Sequence, residues 1–351
     1  MRHALLGWLV AGSGLAGLGD LPRKLAPMIE TLAPSQPLVA IVTPVRNGDK
    51  FIAETMESVQ RQTYSKILHV VLDNASTDAT PDIISNFNGQ HIPLAVARND
   101  APLAMTDNWN RAVGMVPREA SYFIVLCADD VLRADAIAKL VEVAETDSAI
   151  MAATGAVLRN DDVMDFGWSP DRTVYSGQEV IHRLFRQTPI MDARVTMFRR
   201  SALDMRTPFF DPALRTAEDI EAVLHAITGA KFGFVHEPIA MVREHEGNAS
   251  NAIARPMGLQ FLDHFLVIDR YAPTGRGDDS RSDIYRDFRR YYLRRLLIWR
   301  WLKGNRQAHD YHMRRLADLG ARPRLLEYVD AAIDLILKRS RLRKDIYAFP
   351  G

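Results

Sequence analysis

Cysteine is almost absent: Cys127 stands alone in 351 residues. No intrachain disulfide can form, which suits a reducing compartment. The apolar stretch Ala4–Gly19 runs for about 16 residues, short of the roughly 20 that a membrane-spanning helix needs. No Gly-x-Gly-x-x-Gly turn follows the first predicted strand, and no Walker-type phosphate loop occurs anywhere. The first absence speaks against a nicotinamide or flavin enzyme, the second against a P-loop nucleotidase. Internal repeats and low-complexity tracts are also missing.

Charge is balanced only in sum, with 44 Lys/Arg against 43 Asp/Glu. From Arg281 to Asp345 there are 18 basic and 8 acidic residues, so the remainder of the chain is net acidic. The chain divides on this basis into an apolar segment and linker (1–36), a catalytic body (37–255) and a basic helical region (256–351). Met1-Arg-His before the apolar segment gives it the outline of a leader peptide, but an interfacial helix is the expectation.

The body alternates β-branched apolar runs with helical spacing. Strands are predicted at 38–43, 67–72, 94–97, 122–126, 149–157, 196–199, 231–235 and 239–242. Helices are predicted at 51–62, from about 80, and at 106–116, 133–145, 176–186 and 218–227. Alternation of this kind implies an α/β fold, a mostly parallel sheet with helices on both faces. Pro44 to Gly48 is expected to break the first strand, and from Met257 onward the pattern is helical.

The richest chemical signal is Cys127-Ala-Asp-Asp130, directly after the apolar run Tyr122–Leu126. Carboxylates at the C-terminal end of a buried strand are costly without a cation, and that edge of an open α/β sheet is where ligands bind. The alternative is that Asp129 and Asp130 only cap the next helix. In the loop after the first strand, Arg46 and Asn47 are placed to face a nucleotide. Asp73, ending the second strand, has the chemistry to accept hydrogen bonds from a base or ribose. Ser76, Thr77 and Asp78 suit a helix cap. Glu218-Asp219 opens a helix, which on charge alone is ordinary N-terminal chemistry.

Taken in order, Ile41–Asn47, Val71–Asp78, Asp107–Ala112 and Leu126–Val131 resemble the family 2 glycosyltransferases, over residues 37–250. The resemblance implies a GT-A fold and transfer from a nucleotide-diphosphate sugar, with a uridine diphosphate sugar as the default donor. It implies nucleotide contacts for Thr43, Pro44, Arg46, Asp73, Asn108 and Ala128. It puts Asp129, with Asp130, on a Mg²⁺ or Mn²⁺ ion, hard cations that suit carboxylate oxygen. Asp219, beside Glu218, becomes the general base, and a lone base implies inversion. Val242-Arg-Glu-His245 resembles the family's last loop, with Arg243 at the diphosphate and His245 at the metal. Cys127 departs from the pattern, because the family's first Asp belongs there.

Two rivals remain on the residues alone. A sugar nucleotidyltransferase needs a Gly-rich, Arg-containing first loop that residues 44–48 do not supply. A non-catalytic glycosyltransferase-like binding protein is kept open by Cys127. The partners implied are a nucleotide sugar and a glycan or lipid-linked acceptor, with no nucleic acid. The setting implied is the cytoplasm, at the inner face of the membrane if the basic C-terminal helices attach there. In that region Arg289–Trp301 interleaves arginine with aromatic residues. Two readings stand for it: a stripe lying on an anionic membrane, or a stripe packed inside a helical subdomain.

Overall fold

The computed structural model describes residues 36–159, 162–164, 166–185, 190–245, 255–272 and 281–339. The apolar N-terminal segment and the glycine-containing stretch after His245 lie outside the described residues. The chain divides into two compact units. The first is drawn from Met1–Gln178, Met191–Pro212 and Glu218–Glu244, and the second from Glu179–Ile190, Ala213–Ala217 and His245–Gly351.

The first unit is built in chain order from β1 (Val39–Val45), α1 (Ile52–Gln60), β2 (Ile67–Asp73), α2 (Thr80–Ser85), β3 (Leu94–Arg98), α3 (Met105–Val113), β4 (Tyr122–Val125) and β5 (Val131–Leu132). It continues with α4 (Ala136–Glu145), β6 (Ile150–Arg159), β7 (Asp162–Val163), β8 (Val174–Ser176), α5 (Gly177–Leu184, which runs on into the second unit), β9 (Met197–Arg199), α6 (Ala202–Met205), α7 (Glu218–Ile227) and β10 (Lys231–Val242). The sheet runs β3-β2-β1-β4-β9-β6-β10-β5, with β7 on β6 and β8 on β10. β1 pairs in parallel with β2 and β4, β2 with β3, and β6 with β10, while β9 lies antiparallel between β4 and β6. The C-terminal ends of six parallel strands therefore share one edge. All residues of β1 and β2 are buried, as expected of parallel strands covered on both faces.

The short strands β5, β7 and β8 were not expected from the sequence, and two of the expected strands differ in extent. β1 continues through Pro44, which pairs with Leu72. Pro44 has the parity of Val42, whose carbonyl accepts from Leu126 N at 2.9 Å. Its missing N–H thus points to the β4 side, past the last paired residue, where proline costs no ladder bond. β10 is one strand rather than two, with register shifts against β6 between Val235 and Pro238 and again before Ala240. Gly155 sits opposite this bulge: a Cβ there would lie 2.9 Å from Ile239 Cγ2 and 3.0 Å from the Val235 carbonyl.

The second unit holds α8 (Leu259–Tyr271), α9 (Arg281–Leu297, extended by a π-helical turn at Ile298–Leu302), α10 (Arg306–Asp318) and α11 (Leu325–Arg339). Phe261, Phe265, Phe288, Tyr292 and Trp299 are buried and form its aromatic centre. His312 bonds Tyr292 and the Met257 carbonyl, and burial holds it neutral with a pKa of about 4. Arg289 and Arg294 are buried as well, paired with Glu327 and Asp334. The interleaved stretch Arg289–Trp301 is therefore largely engaged inside its own unit, as the packing reading has it. No described helix is long and apolar enough to cross a membrane.

Gly155→Val should push the bulged segment of β10 off β6 and lower stability by about 1–3 kcal/mol. A urea midpoint unchanged from the parent chain would show that the strands give way more easily than their spacing indicates.

Candidate active site

The shared strand edge carries three linked loops. In the loop after β1, Asn47 adopts a left-handed conformation at φ 50°, and in the loop after β2 Ala75 does so at φ 53°. Such backbone is uncommon outside glycine and persists where neighbours enforce it. The enforcement is visible: Asn47 N donates to Ser76 Oγ at 2.9 Å, Thr77 N to Asn47 Oδ1 at 2.9 Å, and Gly48 N to Thr80 Oγ1 at 2.8 Å. Asp78 accepts from Thr80 N at 3.1 Å, but the N-cap position of α2 is Ala79, and Ser76 and Thr77 bind the first loop.

Several residues expected to contact the nucleotide are buried and bonded within the protein. Thr43 is fully buried, its hydroxyl 2.9 Å from His69 Nε2, so it braces β1 against β2. Asp73 was expected to offer its carboxylate to a base or ribose. Instead it is buried, pairs with Arg98 and accepts from Ser76 N at 3.0 Å, shaping the loop. Asn108 lies in a buried amide network, its Oδ1 accepting from Asn99 Nδ2 at 2.8 Å, while Asn99 also donates to Asn74 at 2.8 Å. Pro44 is buried; Arg46 and Asn47 are exposed, and Ala128 is partly so. Of the residues expected at the nucleotide, Arg46 and Ala128 are thus the ones that reach the surface, beside the exposed Asn47.

The acidic step follows β4 and ends at β5. Thr55 on α1 donates to the carbonyls of Ala128 and Asp130 at 2.9 and 2.8 Å, pinning the turn from below. Asp130 is 1 % exposed; its Oδ1 accepts from Arg243 N at 3.1 Å, and its buried Oδ2 has no partner. Burial, with a further push from Asp129, raises Asp130 to about pKa 7 against the relief given by Arg194. Cys127, Asp129 and Asp130 offer ligand atoms all within 4.8 Å of one another. Burial and the flanking carboxylates also drive the Cys127 thiol up. Neither aspartate caps α4, whose N-cap is Asp135. Two clustered carboxylates, one with an orphaned oxygen, fit a hard divalent cation. His245 begins the second unit and is not a member of this cluster.

A second pair in the same neighbourhood escaped the sequence reading. Asp192 caps the short turn Ala193–Val195 and holds Arg194 through bonds of 2.9 and 2.7 Å. Burial opposes the Asp192 charge, yet Arg194 keeps its carboxyl below the ordinary range. The charges of Asp192 and Arg194 both reach Asp219. Asp219 stands in the first turn of α7, its Oδ1 accepting from Ile220 N at 2.7 Å. Loss of hydration raises it to about pKa 6, with Asp192 adding to the shift and Arg194 opposing it. Its neighbour Glu218 is buried. α7 is held in place by the buried Glu221, which Arg206 clasps with both terminal nitrogens. Arg243, which follows β10, pairs with Glu54 and lies 5.2 Å from the centre of the Phe51 ring.

Comparison with known proteins gives this edge a context. Residues 40–206 match the model of glycosyl transferase family 2. The succinoglycan biosynthesis protein ExoO of Rhizobium meliloti is 26 % identical over 72 % of this chain and 74 % of its own length. The putative teichuronic acid biosynthesis glycosyltransferase TuaG of Bacillus subtilis is 24 % identical, over 53 % and 70 % respectively. Among solved structures, the mannosyltransferase PcManGT of Pyrobaculum calidifontis, in complex with GDP-Man and Mn²⁺, superposes with a TM-score of 0.54 at 17 % identity, covering 94 % of this chain and 91 % of that one. S. aureus TarS 1–349 in complex with UDP-GlcNAc gives 0.53 at 15 %, covering 87 % and 83 %. At these identities the superpositions establish the shared GT-A architecture.

Asp130 makes metal-free stability depend on pH. Its folded pKa of about 7 exceeds the ordinary 3.8, so the folded state holds the extra proton between those values. Stability should be greatest below that window and fall as pH rises through 7. Asp130→Asn should flatten this decline in urea titrations from pH 4 to 8. A variant as steep as the parent would remove Asp130 as its source.

Proposed function

We propose that this chain, whose residues 40–206 match the model of glycosyl transferase family 2, transfers a sugar from a nucleotide-diphosphate donor to an acceptor hydroxyl with inversion at the anomeric carbon. The observation that carries the reading is the meeting of two kinds of acid at one sheet edge. One is the cluster of Asp129 and Asp130 with an unpartnered buried oxygen. The other is Asp219, raised to about pKa 6 and so poised near neutrality.

Asp219, with Glu218 beside it, is the general base. Its carboxylate takes the proton from the acceptor hydroxyl as that oxygen bonds to the anomeric carbon. The bond from that carbon to the diphosphate oxygen breaks, and its electron pair leaves with the nucleoside diphosphate. A single displacement with no enzyme nucleophile inverts the centre. Asp129 and Asp130 would hold Mg²⁺ or Mn²⁺. When bound, such an ion supplies positive charge against the diphosphate. Arg243, now held by Glu54, is the chain's own cation for the leaving group.

For the donor, Arg46 and the Ala128 backbone line the nucleotide side. Thr43, Pro44, Asp73 and Asn108 act beneath them by fixing the loops. The relatives solved with UDP-GlcNAc and with GDP-Man and Mn²⁺ support a nucleotide sugar and a divalent ion without choosing the base; a uridine diphosphate sugar is the first donor to try. Relatives named for succinoglycan and teichuronic acid biosynthesis support a growing cell-surface polysaccharide or its lipid-linked precursor as acceptor. A cytoplasmic setting follows from that donor.

Asp219→Asn should reduce sugar transfer by at least about 100-fold while leaving the donor-induced rise in melting temperature intact. In the parent, kcat/KM should climb with pH through about 6, where Asp219 loses its proton. Near-normal turnover in the variant, or a flat profile in the parent, would take the base role away from Asp219. Cys127→Asp, restoring a carboxylate to the cluster, should lower the Mn²⁺ concentration at which donor binding is half-maximal. An unchanged or raised requirement would place residue 127 away from the ion.

A further inference from the structure

Helix α11 is amphipathic in the reverse of the usual sense. One side carries an acidic row: Glu327, Asp330 and Asp334 pair with Arg289, Arg290 and Arg294 of α9, the last two pairs at 2.6 and 2.7 Å. The innermost pair, Arg294 with Asp334, is almost fully buried. Its other side is aliphatic and open. Leu325, Leu326, Val329, Ile333 and Ile336 are between 48 and 81 % exposed. At about 100° per residue they fall within an arc of roughly 100°, turned away from the acidic row. An ordinary surface helix buries that stripe and shows its charges to water. Here the charged row holds the helix to its unit and the apolar stripe is left over.

Both ends of the stripe are basic. Arg322 and Arg324 precede it, Lys338 and Arg339 close the helix, and Arg341, Arg343 and Lys344 follow in sequence. The three acids of α11 itself are those paired with arginines of α9, and Asp345 is the one acid among the basic residues that follow the helix. A five-residue aliphatic face between two basic ends, with the helix's own acids engaged by α9, complements one surface in particular. Acyl chains take the stripe, and anionic headgroups take the flanking cations. A second copy of the chain fits poorly. An isologous contact sets the stripe against itself, and whether the two helices run parallel or antiparallel, basic ends meet basic ends. α11 lies on a surface rather than spanning it, because no described helix is long and apolar enough to cross a membrane.

We propose that α11 is an in-plane anchor that lays its Leu325–Ile336 face on an anionic lipid bilayer. The attachment does not depend on the proposed reaction, and its test needs no sugar transfer. The full chain is sedimented with phosphatidylcholine vesicles, either pure or containing about one-third phosphatidylglycerol, at low and high salt. The chain should pellet with the anionic vesicles, less so at high salt, and far less with the neutral ones. Leu326→Glu combined with Ile333→Glu should weaken binding at least about tenfold. Both positions are exposed, so the fold should survive, with an unchanged circular dichroism spectrum as the check. Leu326→Met with Ile333→Val, which keeps the face apolar, should bind like the parent. Failure of the parent chain to bind, or full binding by the double Glu variant, would overturn the proposal. So would a dimer in light scattering that the double Glu variant dissolves, since that would give the face to a second copy.

Discussion

Asp130 is a carboxylate placed where carboxylates are expensive. It ends the turn after β4 with 1 % of its surface exposed, one oxygen on Arg243 N and the other on nothing. Burying a charge without full compensation costs several kcal/mol, and the pKa of about 7 expresses that cost. Much of the surrounding architecture holds this turn in place regardless. Thr55 reaches up from α1 to two of its carbonyls, β5 pairs with β10 just beyond it, and the Asp192–Arg194 pair lends a nearby positive charge. A divalent ion at Asp129 and Asp130 is the group that would turn this cost into binding energy.

The same edge separates two kinds of acid by their environment. Asp129 and Asp130 cluster with Cys127 and suit a cation. Asp219 sits at the start of a helix, raised only to about 6 and steadied by Ile220 N. A carboxylate with that pKa is mostly ionised at neutral pH and still basic enough to accept a proton. Glu221, gripped by Arg206 two residues further along α7, fixes the helix that carries it. The proposed base thus stands on a helix and the proposed metal site on a braced turn, while the proposed nucleotide side is made of stitched loops with left-handed residues at 47 and 75.

Much of this was legible in the residues. β-branched runs gave away the parallel strands, because strands buried on both faces must be continuously apolar. The acidic step and Glu218-Asp219 stood out because charge at such positions needs a reason. Other features were hidden for physical reasons. Pro44 remained in β1 because its lost donor faces an unpaired side, a matter of parity and neighbours. The unity of β10 depends on Gly155 tolerating a bulge far away in sequence. Asp73 and Asn108 were read as ligand contacts, but burial and partners such as Arg98 and Asn99 turn them inward. Asp192 and Arg194 lie in an unremarkable stretch, and only the meeting of the 3₁₀ turn with the acidic edge gives them a role. The α11 stripe had no signal until its acids were seen to pair with α9.

The central claim is that the acidic edge binds a nucleoside diphosphate through a divalent ion held by Asp129 and Asp130. Calorimetric titration of uridine and guanosine diphosphates into the full chain, with Mn²⁺ and with a chelator, tests it most directly when repeated on Asp129→Asn. The account predicts that at least one diphosphate binds the parent tightly only with Mn²⁺, and that the substitution removes this metal-dependent binding. Equal affinity with chelator and with Mn²⁺, or undiminished metal-dependent binding in Asp129→Asn, would contradict it.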